Sequence, residues 1–326
     1  MGEGRDAVRV NPELRRVAAR QGGVVSSRQA ADAGYSVEQI RERLADGRWV
    51  RIRYGQYAER VDLSGMAPWD RQIFHHRQLV HAAVNSMKRG TAIVSHHSAL
   101  ILHGVPIWRA DLREAQLTRT TGRCGVKAGV RHHRGTLDPQ HIAEIDGLAV
   151  TSLARATVET AALGSFEAAV VSADAAMRHP RFDHEELRRL LELTEHWAGG
   201  PTIRSALAFA DPLAESVGES RLRVLMRTEG LPVPTLQAVF EDDAGPIGRV
   251  DFLFPDEDTV VEFDGMMKYA DQSRGILIRE KLREDRLRAR GLQVVRITWS
   301  DLDHPVRTAM RIRGAFTRSR RTPLAG

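Results

Sequence analysis

The sequence predicts a multidomain α/β (α+β) protein in which three regions follow one another along the chain. Two observations lead to this prediction. The 326 residues are enough for two or three domains, and 42% of them are hydrophobic, as in globular proteins. Helical and strand periodicities also form three blocks, separated by stretches that contain proline and glycine. We place the domains at residues 1–62, 66–210 and 213–320.

Charge and cysteine content indicate the kind of partner and the compartment. The net charge is +6 and the isoelectric point is near 9.9, which favours a polyanionic partner such as nucleic acid. Cys124 is the only cysteine, so neither an internal disulfide nor a thiolate metal site can form. The chain has no apolar signal region and no run approaching the roughly 18 apolar residues of a membrane span. We therefore expect a cytoplasmic protein that does not act at a membrane.

Three short helices and a strand pair are predicted at the N-terminus. The helices span residues 12–20, 28–33 and 37–44, and Ser27 and Ser36 are placed to cap the second and the third. Residues 49–57 then alternate apolar and basic side chains, as a two-stranded wing does, with Arg51 and Arg53 on one face. This order of elements predicts a winged helix-turn-helix.

The polar face of the third helix is the candidate for DNA contacts. Ile40 and Leu44 are four residues apart and face the core, which leaves residues 38, 39, 41 and 43 more exposed. Arg and Gln side chains donate hydrogen bonds to base edges in the major groove, and the wing arginines suit phosphates. The predicted DNA-binding residues of this domain are Arg28, Gln39, Arg41, Arg43, Arg51 and Arg53. A small helical domain with a solvated basic face is the alternative.

The string VVSSRQAADAGYSVEQIRERLADGRWVRIRYGQYA closely resembles the N-terminal domain of AbiEi-type abortive-infection antitoxins. The resemblance implies double-stranded DNA as a partner, typically the promoter of the protein's own operon. It covers about 50 residues.

The middle region carries little chemistry. Strands are predicted at residues 91–94, 117–121, 130–133 and 148–150, and helices at 69–88, 95–102, 154–163, 166–177 and 184–195. The strings SHHSA and VTSLARATVET resemble, more loosely, the second domain of AbiEi-like proteins. Adjacent histidines at 75/76, 96/97 and 132/133 point in different directions, so each pair offers one metal ligand at best. The spacing of Arg155 and Glu159 favours a helical ion pair. No phosphate-cradling glycine motif and no small-molecule cofactor are expected.

The C-terminal region places carboxylates on two neighbouring strands. Strands are predicted at residues 250–254 and 259–263, joined by a turn, and they are followed by a helix at 276–290 and a buried strand at 292–297. Glu262 and Asp264 point to one face, and hairpin pairing can bring Asp251 beside them. Carboxylates held together repel one another unless a cation lies between them, and oxygen ligands suit Mg²⁺ or Mn²⁺.

This order of elements resembles the PD-(D/E)xK nuclease superfamily, and more closely its branch related to very-short-patch-repair endonucleases. The similar residues are Asp251, the VEFDG string of residues 261–265, Lys268 and the REDR helix of residues 283–286. The resemblance implies a restriction-endonuclease-like α/β/α fold, a metal site of Glu219, Asp251, Glu262 and Asp264, and a catalytic set of Asp251, Glu262, Asp264 and Lys268. The superfamily's usual lysine position is occupied by Asp264 here, so Lys268 and Lys281 are the candidates for the charge. Arg283 and Arg286 on the helix are the predicted DNA contacts of this domain.

Three hypotheses about function remain open from the sequence. The first is a metal-dependent DNA endonuclease in phage defence or DNA repair, favoured because a degenerate site has no reason to keep repelling acids together. The second is a non-enzymatic, promoter-binding antitoxin of a type IV toxin–antitoxin system, favoured by the missing lysine. The third is a module that binds a cognate toxin protein through the middle domain.

Overall fold

The computed structural model describes residues 11–88, 90–265 and 274–320. Contacts divide the chain into two compact units, one of residues 1–163 and 181–200, the other of residues 164–180 and 201–326. These units do not coincide with the three domains drawn from the sequence, whose boundaries stay a prediction. In the described part of the chain, no helix is both long and apolar enough to cross a membrane.

The first unit begins with three helices and a small antiparallel sheet, an arrangement compatible with a winged helix. The strands β1, β3 and β2 pair in that order, and the tight turn at Tyr54-Gly55 joins the two wing strands. Leu14, Tyr35, Ile40 and Trp49 lie in its core. The elements are α1 Pro12–Ala19, β1 Val24–Ser26, α2 Ser27–Asp32, α3 Val37–Ala45, β2 Trp49–Arg53 and β3 Gln56–Glu59.

Helix caps decide where α2 and α3 begin. Ser36 caps α3 as predicted, and its hydroxyl accepts from the Gln39 N–H while the Gln39 side chain accepts from the Ser36 N–H. The prediction that Ser27 caps α2 is wrong. Ser26 is the cap, with Gln29 completing the same reciprocal pair, and the Ser27 hydroxyl instead donates to the Gly55 carbonyl at 3.1 Å.

The remaining elements up to residue 209 include a six-stranded sheet, which lies in the first unit, and helices of both units. The strand order is β6-β7-β5-β4-β9-β8. Helices α7 and α9 belong to the second unit, and the rest belong to the first. The elements are α4 Pro68–Asn85, β4 Ile93–Val94, α5 His96–Leu102, β5 Ala115–Arg119, β6 Gly125–Lys127, β7 Val130–Arg134, β8 Ile142–Ile145, β9 Leu148–Thr151, α6 Leu153–Leu163, α7 Phe166–Met177, α8 His184–Leu193 and α9 Gly200–Phe209. The sequence did not predict β6, β8 or α9.

A four-stranded mixed sheet forms the centre of the second unit. Its order is β10-β11-β12-β13, antiparallel except for the last pair, which is parallel and joined through α11. The predicted order of hairpin, helix and strand is confirmed at this level, whereas β10 and α13 were not predicted. The elements are α10 Val217–Thr228, β10 Thr235–Asp242, β11 Gly245–Phe254, β12 Thr259–Asp264, α11 Arg274–Ala289, β13 Gln293–Thr298, α12 Trp299–Leu302 and α13 Pro305–Arg320.

Two apolar clusters cover the two faces of this sheet. Phe252, Phe254 and Val261 pack with α10 and α13 on one face, and Val260 packs with Leu287 of α11 on the other. Of the periodic apolar residues of α11, Leu287 is buried, but Ile278 and Leu282 are 51% and 58% exposed. Charged side chains of α11 also contact the sheet, and they form part of the candidate site of this unit.

Candidate functional site

The first candidate surface is the polar side of α2 and α3. Arg28 on α2 and Gln39 and Arg41 on α3 are exposed, as the sequence predicted. The Gln39 oxygen accepts from the Ser36 N–H at 2.8 Å, so its position is fixed at the start of α3 while its amide N–H₂ group points away from that bond. This surface can present hydrogen-bond donors to an acceptor-rich partner.

Arg43 does not belong to this surface, and the prediction that it is exposed is wrong. Its side chain is only 4% exposed. The guanidinium carbon lies 5.1 Å from the centre of the Tyr35 ring and 5.6 Å from that of Trp49. A planar guanidinium stacks well on aromatic faces, so Arg43 joins α3 to the wing strand β2. Its position indicates a role in orienting α3.

The two wing arginines differ in their surroundings. Arg51 is exposed and Arg53 is half-buried, and the β2–β3 register shifts between them. The Nη1 atom of Arg53 is shielded from solvent and has no hydrogen-bond partner among the described residues. Burial lowers the pKa of the Arg53 guanidinium. The two side chains therefore cannot be treated as one equivalent pair of phosphate contacts.

The second candidate site is the acidic cluster of the second unit. Asp251 on β11 is half-buried, and its Oδ2 accepts from the backbone N–H of Phe263 on β12 at 2.8 Å. Burial raises the pKa of Asp251 to about 6, and the negative charges of Glu219 and Glu215 add to the rise, against the hydrogen bond from Phe263. A carboxyl group that is desolvated beside other carboxylates is typical of functional sites, although buried ion-pair networks produce it too.

Glu219 enters this cluster from the first turn of α10. It is 7% exposed, and its Oε2 accepts from the Glu215 N–H at 2.9 Å and from the Gln237 amide at 3.0 Å. Gln237 lies on β10 with a positive φ of 55°, and Arg249 pairs with Glu215 at 2.6 Å. Gln237 was not predicted from the sequence, because neither its positive φ nor its contact with α10 is visible in the residue pattern.

Glu262 is neutralised by two arginines. Arg283 of α11 forms an ion pair with its Oε1, and Arg296 of β13 lies 3.7 Å from its Oε2. Burial raises the pKa of Glu262, and the charge and hydrogen bond of Arg283 oppose that rise. The same two arginines bind Glu280, at 3.1 Å from Arg283 and 2.8 Å from Arg296. Arg296 was not predicted as a site residue; it lies here because Glu262 and Arg296 are partners in the parallel β12–β13 register.

The other predicted residues of this domain occupy different positions. Asp264, at the end of β12, is half-buried and pairs in register with Thr298. Lys281 is exposed on α11, and Lys268 lies outside the described residues. Arg286 binds Asp242, with an Nε–Oδ2 distance of 2.8 Å, and also donates to the Gly245 carbonyl. Arg283 and Arg286 are thus engaged within the unit, and their predicted DNA contacts stay a prediction.

The chemistry of the acidic cluster fits a hard divalent cation only in part. Asp251 and Glu219 each have one carboxylate oxygen without a hydrogen bond from a described residue, and oxygen ligands suit Mg²⁺ or Mn²⁺. Glu262 does not fit, because its charge is matched by guanidinium groups. Within residues 11–88, 90–265 and 274–320, no three His, Cys, Asp or Glu side chains lie close enough together to hold a metal ion.

Two histidines from different predicted pairs contact each other in the first unit. His96 and His133 stack with ring centres 3.7 Å apart, and burial lowers the pKa of both to about 3. The predicted ion pair between Arg155 and Glu159 is confirmed at 2.9 Å.

Two groups of known proteins are similar to this chain. An uncharacterized protein from each of two strains of Mycobacterium tuberculosis is 27% identical over 285 residues, which is 87% of this chain and 98% of the relative. The N-terminal region has a more specific match. Residues 12–59, which contain α1 to α3 and the wing, match the family of transcriptional regulators described as AbiEi antitoxin.

Proposed function

We propose that this protein binds double-stranded DNA through its N-terminal winged helix and regulates transcription as an AbiEi-type antitoxin does. The observation that carries the proposal is the exposed set of Gln39 and Arg41 on α3, with Arg51 on the adjacent wing strand, inside the segment that matches the regulator family. Arg and Gln donors on a helix can contact base edges, and an arginine on a wing can contact a phosphate. A cognate toxin as protein partner and the protein's own promoter as target belong to the same proposal.

Within this proposal, Arg43 positions the recognition helix. Its guanidinium lies against the rings of Tyr35, in the turn before α3, and of Trp49, on the first wing strand β2. These contacts connect α3 rigidly to the wing. A rigid connection between helix and wing reduces the ordering cost of binding both to one duplex.

The test is fluorescence anisotropy with a duplex from upstream of the coding sequence and with an unrelated duplex. We expect Arg41→Gln to weaken binding to the upstream duplex by about 1–3 kcal/mol and to reduce the preference for it. Arg51→Gln should weaken binding to both duplexes and lower the slope of log affinity against log salt by about 0.9. Arg188→Gln, an exposed residue of α8 paired with Glu185 at 2.7 Å, makes the same change of net charge and serves as control. Wild-type protein that binds neither duplex, or variants that all match the control, would refute the proposal.

A second candidate function is metal-dependent hydrolysis of DNA by the second unit. It is supported by the raised pKa of Asp251 beside the charge of Glu219, because carboxylates that repel each other in a buried site gain from a shared cation. Asp251 and Glu219 would supply two carboxylate ligands to the ion. No third such side chain of the described residues lies close enough to join them, so Asp264, at the end of β12, would have to move towards the ion to act as a further ligand. A bound Mg²⁺ or Mn²⁺ would polarise a phosphodiester and activate a water molecule. Lys268 or Lys281 would supply positive charge to the phosphate.

This candidate is tested by incubating supercoiled plasmid with Mg²⁺ or Mn²⁺ and following nicking. We expect cleavage by the wild type and none by Asp251→Asn or Asp264→Ala. Asp256→Asn, an exposed carboxylate in the turn between β11 and β12, is the matched control and should cut normally. If all four proteins leave the plasmid intact but bind DNA with the same salt dependence, the second unit does not hydrolyse this substrate.

A further inference from the structure

A strongly basic segment of the first unit lies outside the segment that matches the regulator family. Residues 115–134, which comprise β5, β6 and β7, contain five Lys or Arg residues, two histidines and no Asp or Glu. Such a run of one charge costs energy by self-repulsion unless anions lie close to it. The segment forms one edge of the six-stranded sheet, where β6 is the outermost strand.

Strand register divides these cations between the two faces of the sheet. In the strand register, Arg119 of β5 lies opposite Arg134 of β7, and His132 of β7 lies opposite both Leu117 and Gly125. Lys127 of β6 lies opposite Val130 of β7. Cross-strand partners and every second residue point to the same face. Four basic side chains therefore share one face, which we call the basic edge: Arg119, Lys127, His132 and Arg134.

The basic side chains of the opposite face have ion-pair or hydrogen-bond partners, whereas polar atoms of the basic edge have none among the described residues. On the opposite face, Arg131 binds Glu114 at 2.9 Å and His133 binds the Gln116 oxygen at 2.7 Å. On the basic edge, Arg119 Nε and His132 Nδ1 are shielded from solvent and have no hydrogen-bond partner within the described part of the chain. Unpaired buried polar atoms cost roughly 1–3 kcal/mol each, so they are rare in native proteins unless a ligand, ion or water satisfies them, and the guanidinium Nε of Arg119 can only donate.

The wing reaches this edge. A cleft of about 1110 Å³ is lined both by the end of the wing, including Arg53 and Tyr54, and by Ala128 and Gly129 of the β6–β7 turn. Arg53 Nη1 is likewise shielded and unpartnered in the described residues. Partial burial lowers the pKa of His132, and the positive charges of Arg119, Arg53 and Lys127 lower it further, as expected for basic groups that lie close together.

We propose that Arg119 and Lys127, together with Arg53 at the end of the wing strand β2, form a phosphate-binding site for the DNA backbone that extends from the wing onto the six-stranded sheet. The donor-only guanidinium and ammonium groups match phosphate oxygens in charge and hydrogen-bonding capacity. The site rests on the proposed function, since it lengthens the contact of the wing with the same duplex. It assigns to the sheet of the first unit a direct part in DNA binding.

The experiment measures affinity for a duplex of mixed sequence against salt concentration, for the full chain with Arg119→Gln, Lys127→Gln and Arg131→Gln. Each lost phosphate contact lowers the salt slope by about 0.9, so between roughly 50 and 200 mM salt the wild-type affinity should fall about threefold more than that of Arg119→Gln or Lys127→Gln. Arg131→Gln is the control. Arg131 lies opposite Val126, the residue before Lys127, and points to the other face of the sheet, so its substitution removes the same charge and should keep the wild-type slope. Circular dichroism checks that each variant is folded.

The outcomes separate this site from the winged helix. If Arg41→Gln and Arg51→Gln weaken binding but Arg119→Gln and Lys127→Gln behave as Arg131→Gln does, the basic edge is not a DNA site and the proposed function stands. If the three sheet variants reduce the slope equally, the effect is one of net charge and the site is again refuted. If wild-type protein does not bind DNA at all, both the proposed function and this site are refuted. A reduced slope for the two edge variants alone supports the site.

Discussion

Replacing Asp251 with Asn should stabilise the second unit, and by an amount that grows with pH. The side chain keeps its shape, and an Asn oxygen can still accept the Phe263 N–H that Oδ2 now accepts at 2.8 Å. What is lost is a negative charge that burial and Glu219 disfavour. The rise in the pKa of Asp251 from 3.8 to about 6 corresponds to about 3 kcal/mol of destabilisation once the group is ionised, an upper value because the side chain is partly solvated.

The sign of the pH dependence follows from proton binding. Between pH 3.8 and about 6 the folded protein holds a proton on Asp251 that the unfolded chain has lost, so this group lowers the free energy of unfolding as pH rises through that range. Above about pH 6 its contribution is constant. The advantage of Asp251→Asn should therefore be small near pH 4, increase to pH 6 and then level off.

The assay is urea unfolding of wild type and Asp251→Asn at several pH values with EDTA present. Trp299, which packs edge-on to Phe263 at 5.1 Å between ring centres, provides a fluorescence signal inside the second unit. Asp256→Asn, in the exposed turn, controls for loss of a carboxylate as such. A difference between Asp251→Asn and wild type that does not change with pH would refute the reasoning. Mg²⁺ in place of EDTA should stabilise the wild type more than the variant if the metal proposal holds.

Two further predictions concern packing in the second unit, and both are read from unfolding curves. Gly218→Ala on α10 should lower the free energy of unfolding by at least about 1 kcal/mol, because an added Cβ would lie 1.9 Å from the Phe263 ring. Gly314→Ala on α13 is the control: the nearest neighbour of its added Cβ lies at 3.5 Å, so it should be neutral or stabilising by up to about 1 kcal/mol. Equal effects of the two substitutions would contradict the clash. Arg223→Met should lower the free energy of unfolding by about 3–5 kcal/mol, because it leaves the fully buried Asp174, now paired with Arg223 at 2.8 Å, without its counter-charge. Adding Asp174→Asn should recover much of that loss. If the effects of the two substitutions simply add, the pairing is contradicted.

Local features of the fold could be predicted because neighbouring residues determine them. Helix α3 starts at the predicted cap because Ser36 and Gln39 satisfy each other's backbone N–H groups three residues apart. The turn of Pro255–Glu257 between β11 and β12 follows equally from a proline-containing polar segment between two apolar runs. The choice of Ser26 over Ser27 as cap of α2 was not decidable in this way, since either serine has the right chemistry and the Gly55 carbonyl across the wing engages one of them.

Contacts between distant segments explain the remaining differences. Arg43 has the position of an exposed helical residue, and only the approach of Tyr35 and Trp49 makes its site buried. The pairing of Glu262 with Arg296 depends on the parallel register of β12 and β13, which are joined through a whole helix. The sequence therefore indicated which region of the second unit contains many charged residues, but not which acidic and basic side chains form ion pairs there.

Arg283 and Arg296 change the functional interpretation of the acidic residues in the second unit. From the sequence, three carboxylates kept together favoured a metal-dependent enzyme, because without a cation they repel. In the folded second unit Arg283 and Arg296 provide that cation for Glu262, so its presence is explained as well by a structural ion-pair network as by catalysis. Asp251 and Glu219 have no arginine hydrogen-bonded to them among the described residues. The charge of Arg283 only partly opposes the rise in the pKa of Asp251, so Asp251 keeps an electrostatic penalty that a bound metal would relieve. The question of enzyme or regulator therefore depends on these two carboxylates, and the response of Asp251→Asn to pH and Mg²⁺ addresses it without requiring the natural DNA target.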